Sequence, residues 1–79
     1  MKLPRNLYGA KLAAFLCRRW EYSIVHQTGS HIILQTDVPS HQRIPIPAQS
    51  FLRVGTLNAI LRQVATHKEV LKEEILGAL

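Results

Sequence analysis

The sequence predicts an α+β fold of two layers, a three-stranded antiparallel sheet with helices packed on one face, in the order α-β-β-β-α-α. Three observations carry this. Apolar residues recur at helical spacing before Trp20 and again after Gly55. Three β-prone runs, separated by clusters of turn formers, lie between them. The chain has 79 residues, enough for one domain with a modest core.

The lead-in, residues 2–7, places Pro4 ahead of a helix. Of Asn6 and Tyr8, Asn6 has the better N-cap chemistry. From Tyr8 to Arg19 the apolar face is Tyr8, Leu12, Phe15 and Leu16, with Cys17 expected to pack as a small hydrophobe. Lys11, Arg18 and Arg19 fall largely elsewhere, and the two arginines at the helix end suit its dipole. Trp20 to Gln27 reads as strand one and His31 to Thr36 as strand two. In the Thr28-Gly29-Ser30 turn between them, Gly29 is expected to supply a positive φ. Asp37-Val38-Pro39-Ser40 is the next turn. Gln42 to Ile46 is a short third strand, sent to an edge by Pro45, which cannot donate to a ladder. Pro47 to Val54 is a loop. Gly55-Thr56 opens a second helix, with Leu57, Ile60, Leu61 and Val64 inward. Thr66-His67-Lys68-Glu69 has the form of a capping box. It is expected to start a last helix over roughly His67 to Leu76, with Val70, Leu71 and Ile75 inward.

Composition narrows the function. The chain is 47% hydrophobic, so it is not a disordered segment, and no apolar run reaches membrane-spanning length. Cys17 is alone, which rules out an internal disulfide and a zinc site built on cysteines. A lone cysteine and a start, Met-Lys-Leu-Pro-Arg, without the apolar core of a signal peptide lead to a cytoplasmic expectation. The four histidines lack helical metal-ligand spacing and carboxylates are few, so neither a metal nor another cofactor is expected. Net charge is +5. The first 62 residues carry eight Lys or Arg against only Glu21 and Asp37, whereas the last helix is nearly balanced. A basic body suits a polyanion, RNA or DNA, or an acidic protein partner. Solubility charge alone is the plainer reading.

Histidine is the side chain whose ordinary titration falls near neutrality, and His31 follows the first turn directly. It is either a surface residue or a proton-transfer group. Gly29 beside it is structural, and Ser30 is a turn hydroxyl or a phosphate donor. Arg18, Arg19, Arg43, Arg53 and Arg62 are candidate phosphate contacts. His41 and His67 read as solvated residues. The N-terminus of the second helix, at Gly55-Thr56, offers free N–H groups for capping or for a phosphate.

Tyr22 through His31, with its Gln27-Thr28-Gly29-Ser30-His31 turn, is followed by Ile44-Pro45 and then by Gly55-Thr56-Leu57-Asn58-Ala59-Ile60-Leu61-Arg62-Gln63. In this order and spacing the chain resembles the HicA (YcfA-like) toxins over roughly residues 2–76. The resemblance implies one toxin domain over residues 1–79, with a fold like that of double-stranded-RNA-binding domains. It implies a metal-independent endoribonuclease, an mRNA interferase of a toxin–antitoxin pair, neutralised by a HicB antitoxin. His31 takes the place of the family's catalytic histidine. Three positions depart from the pattern. Pro47 stands where many members have a second histidine, Glu21 where a glycine often precedes the aromatic of strand one, and Tyr8 where Ser or Thr is frequent. Pro47 keeps open the alternative of a non-catalytic RNA-binding module of the same fold. A domain that binds only an acidic antitoxin is a third class.

One pairing follows from loop length. If the first hairpin closes with an even loop, of two residues at Thr28-Gly29 or of four, His26 and His31 become directly opposed on one face and could divide acid and base work. An odd loop with a bulge breaks the pairing.

Overall fold

The computed structural model describes residues 3–48 and 51–79. The elements are α1 (Gly9–Arg19), β1 (Ser23–Gln27), β2 (His31–Thr36), β3 (Gln42–Pro47), α2 (Val54–Lys68) and α3 (Lys72–Ala78). The expected α-β-β-β-α-α order is the one observed. The sheet is antiparallel in the order β1-β2-β3.

One sheet face is covered. Ile32, Leu34 and Thr36 of β2 are buried beside Ile44 and Ile46 of β3, and Leu12, Phe15 and Leu16 of α1 and Leu57, Leu61 and Val64 of α2 complete the core. The strand alternation therefore turns His31, Ile33 and Gln35 to the uncovered face. β3 lies at an edge, as Pro45 requires, and it runs on to Pro47 instead of stopping at Ile46. β1 forms the other edge and buries none of its residues.

Several local readings are corrected. Asn6 is not the N-cap: it has φ 60°, and Tyr8 stands at the cap position without a side-chain bond. Asn tolerates that left-handed backbone and serves as a bend ahead of the helix. Tyr8 does not join the inward stripe. It is about half exposed, and its ring centroid lies 4.2 Å from that of Phe51. β1 starts at Ser23 rather than Trp20, because Glu21, at φ 62°, swings the chain from helix to sheet. Tyr22 is buried by that bend and donates to Gln42 Oε1, and burial pushes its phenol up to about 12. Cys17 is half-buried against the core as expected, and burial pushes its thiol up.

The largest correction lies near the C-terminus. Thr66-His67-Lys68-Glu69 does not start a helix. α2 runs through it to Lys68, and Glu69, at φ 58°, ends it with the Val70 N–H bonded to the Ala65 carbonyl. α3 starts at Lys72, where Glu74 Oε1 accepts from the Leu71 N–H. The acidic half of the capping interaction thus comes from Glu74, not Glu69. Ile75 is buried and Val70 half-buried, whereas Leu71, expected inward, is 64% exposed. The expected loop from Pro47 to Val54 is shortened at both ends by β3 and α2, and its Gln49 and Ser50 lie outside the described residues.

Two close approaches set the end of the molecule where the site lies. A Cβ on Gly9 would fall 1.6 Å from the Pro47 carbonyl oxygen, so only glycine lets α1 start against β3. The segments entering α1 and α2 also bond to each other, through a Tyr8–Phe51 bridge and the Leu52 N–H to the Leu7 carbonyl, 2.8 Å. Both helices therefore begin at the same end of the domain.

Candidate active site

The β1–β2 turn is built by a threonine, not by its glycine. Gly29 does not have a positive φ, contrary to expectation. Instead Thr28 Oγ1 accepts from the N–H groups of His31, 3.1 Å, and Ser30, 3.3 Å. The Thr28 N–H donates to the His31 carbonyl at 2.9 Å. The two-residue loop is thus Gly29-Ser30, with Thr28 facing His31. From there Gln27 pairs with Ile32 and His26 with Ile33 before a bulge at Val25 resets the register. The direct opposition of His26 and His31 is accordingly not formed. The loop is even, but it sits one residue later than Thr28-Gly29. His26 shares the uncovered face with His31 as a diagonal neighbour, across a spacing of roughly 7–8 Å.

His31 is exposed, and its Nδ1 lies 3.0 Å from Ser30 Oγ. That contact orients the ring and leaves Nε2 without a partner among the described residues. If Ser30 donates, the proton of the neutral ring sits on Nε2. If Nδ1 donates, Nε2 is the free base. Across the ladder His31 faces Pro47, and the Ala48 N–H donates to the Ser30 carbonyl at 2.9 Å. The end of β3 is thereby pinned to the turn that carries the histidine.

His31, Pro45 and Pro47 form one side of a shallow cleft of about 410 Å³, and Gly55, Thr56, Ala59, Ile60 and Gln63 of α2 form the other. The cleft ends at the N-terminus of α2. Its N-cap, Arg53, provides no side-chain bond, and no acid occupies the first turn. The first N–H to find a carbonyl is that of Leu57, which donates to Arg53 at 2.8 Å. The N–H groups of Val54, Gly55 and Thr56, all exposed residues, have no partner within the helix. A fifteen-residue helix presents there the partial positive charge that favours an anion.

The structure gathers part of the predicted set. Ser30 touches His31, and Arg53 stands at the head of the helix that lines the cleft. Arg62 lies further along α2, in an adjoining groove with Gln42, Thr66 and His67. Arg43 is on the uncovered face with His31, but further along the ladder, and its Nε donates to Gln35 Oε1 at 2.8 Å. Arg18 and Arg19 end α1, the end away from Gly9 and Pro47, and are not brought to His31. His41 pairs with Asp37 at 3.0 Å and His67 Nε2 bonds the Ser40 carbonyl at 2.8 Å, both at the β2–β3 turn. Neither is a freely solvated side chain. Among the described residues no group of three or more His, Cys, Asp or Glu could hold a metal ion. No helix there is long and apolar enough to cross a membrane.

Thr28, Gly9 and Gln63 escaped the sequence reading. A Thr two residues before a Ser, followed by His, is a readable hydroxyl-turn signal. The need for Gly9 and the place of Gln63 in the cleft depend on contacts between distant segments. An exposed imidazole fixed at one nitrogen, beside an uncapped helix N-terminus, can bind a phosphoryl group and move a proton next to it. In comparisons with known proteins, no family model, no curated protein and no solved structure matches the chain.

Proposed function

We propose that this domain is a ribonuclease of the HicA toxin type, in which His31 transfers protons at an RNA phosphate held by the N-terminus of α2. The observation that carries the reading is the shared cleft of His31, Gly55 and Thr56, with Ser30 fixing the ring at Nδ1. The motif residues that resemble HicA supply the reaction class, and the net charge of +5 suits the substrate. His31 Nε2 removes the proton from the attacking oxygen or supplies one to the leaving 5′-oxygen. The N–H groups of α2 take up negative charge on the phosphoryl oxygens. If the 2′-hydroxyl attacks, the P–O5′ bond breaks and a 2′,3′-cyclic phosphate is left; if water attacks, the product is a linear phosphate. An acidic, HicB-type antitoxin would silence such an enzyme by covering the cleft, and the cytoplasm is its expected compartment.

The test is purified protein on unstructured RNA, in parallel with induced expression in cells. His31→Ala is expected to abolish cleavage and growth arrest while keeping the wild-type circular dichroism and melting temperature. Cleavage at the wild-type rate in that variant would sink the assignment. Pro47 favours a second reading, a non-catalytic RNA-binding module, because it stands opposite His31 where many HicA toxins carry another histidine. Such a module binds RNA with a steep salt dependence and leaves it uncut.

A further inference from the structure

The cleft at His31 does not end at Gln63. The adjoining groove, about 520 Å³, is lined by Gln42, Ala59, Arg62, Gln63, Thr66 and His67. Ala59 and Gln63 line both hollows, so the two form one continuous trough along α2, beside the edge strand β3. From Thr56 to His67 the helix rises roughly 16 Å, room for a few nucleotides in single file.

The chemistry of the lining is specific. No Asp or Glu lines either half. Arg62 is exposed and has no ion pair or side-chain hydrogen bond among the described residues. The Gln63 amide is likewise unpaired, since only its backbone carbonyl is used, accepting from Gln42 Nε2 at 3.3 Å. Gln42 is held in turn by the Tyr22 hydroxyl, which makes that wall rigid. A small floor residue, Ala59, a free amide and a free guanidinium in line match an extended strand with a charged backbone and hydrogen-bonding bases.

We infer that the distal half of this trough is a binding subsite for single-stranded RNA flanking the phosphate at His31, with Arg62 on a backbone phosphate and Gln63 on a base edge. The inference rests on the RNA reading given above, and the measurement separates the two. Binding of a short fluorescein-labelled oligoribonucleotide is measured with His31→Ala as the parent, so that nothing is cut. Thr66→Leu and Arg62→Gln are added to that parent; both positions are exposed, on α2, and outside the His31 cleft. Arg62→Gln is expected to weaken binding about tenfold, the scale of a lost charge-assisted contact, and Thr66→Leu severalfold, by placing a bulkier apolar side chain in the groove. Arg62→Gln should also flatten the slope of log affinity against log salt by about 0.7, as for one phosphate contact released from a single strand. In an otherwise wild-type background, cleavage of a dinucleoside monophosphate, too short to reach the groove, should be unchanged by Thr66→Leu. Unaltered oligonucleotide affinity and salt slope in both variants overturns the subsite. So does a parent protein that does not bind the oligonucleotide. RNA that wild-type protein binds in the trough but leaves uncut removes the ribonuclease reading and keeps the subsite.

Discussion

The Ser30–His31 contact is the smallest unit on which the proposed chemistry depends. The hydroxyl at 3.0 Å from Nδ1 decides which way the ring is held, and Thr28 decides where Ser30 stands. Ser30→Ala is therefore expected to lower cleavage by roughly three- to tenfold, without the total loss expected of His31→Ala, as for a neutral hydrogen bond of about 1 kcal/mol. Ser30→Thr restores the hydroxyl and should recover most of the rate, which a merely structural loss at the turn would not allow. A second residue-scale device is the left-handed backbone at Glu21, φ 62°. Glycine adopts that backbone without the cost a Cβ carries there. Glu21→Gly relieves the Cβ clash and is expected to stabilise the domain by about 0.5–1 kcal/mol, read as a higher urea midpoint.

Element packing turns on Gly9. α1 starts so close to β3 that any side chain there strikes the Pro47 carbonyl, which is backbone and cannot swing aside. Gly9→Ala should thus destabilise the domain by about 2 kcal/mol or more, against the small gain alanine gives in an open helix. Thermal melting checks this. Since Pro47 faces His31, residual cleavage by the folded fraction should fall as well. At this scale the sequence was most informative where pattern and local chemistry agree. The β2 bounds, the edge position of β3 and the inward residues of α2 were all legible from periodicity and proline. The break between α2 and α3 was not. Thr66-His67-Lys68-Glu69 looks like a helix start, yet burial of Val64 and Ala65 carries α2 through, and Glu69 ends it by adopting a backbone no sequence rule assigns to glutamate. The site was legible in part. His31 and Ser30 stood out in the turn, whereas the cleft wall from α2 arises only when Gly55 folds back beside Pro47.

For the whole molecule, the direction of the two long helices sets an axis. α1 and α2 both begin at the pole where Pro47, Ser30 and His31 meet, and neither has an acid in its first turn. Glu21, Asp37 and Glu69 sit at the other pole, at the end of α1, in the β2–β3 turn and at the end of α2. The two helix dipoles thus favour an anion at the first pole, while Arg18, Arg19 and Lys68 stand beside the acids at the other. Five arginines look equivalent in the sequence. The tertiary arrangement separates Arg53 and Arg62, on the helix that lines the trough, from Arg18 and Arg19 at the far end of α1.

The bare outer strand has a kinetic consequence. β1 buries no side chain, leaves Ile24 and Val25 about half exposed, and is broken by a bulge, so little apolar burial resists its peeling from β2. Segments with so few buried contacts open at a free energy well below that of global unfolding. Hydrogen–deuterium exchange should therefore show the amides that join β1 to β2 losing protection first, with the amides that join β2 to β3 exchanging only through global opening. Uniform protection across the three strands would contradict this. The turn that carries His31 is tethered to β1 through Thr28 and to β3 through the Ala48 N–H on the Ser30 carbonyl. When β1 frays, the second tether still keeps His31 at the cleft, and the cleft outlasts the loosest part of the domain.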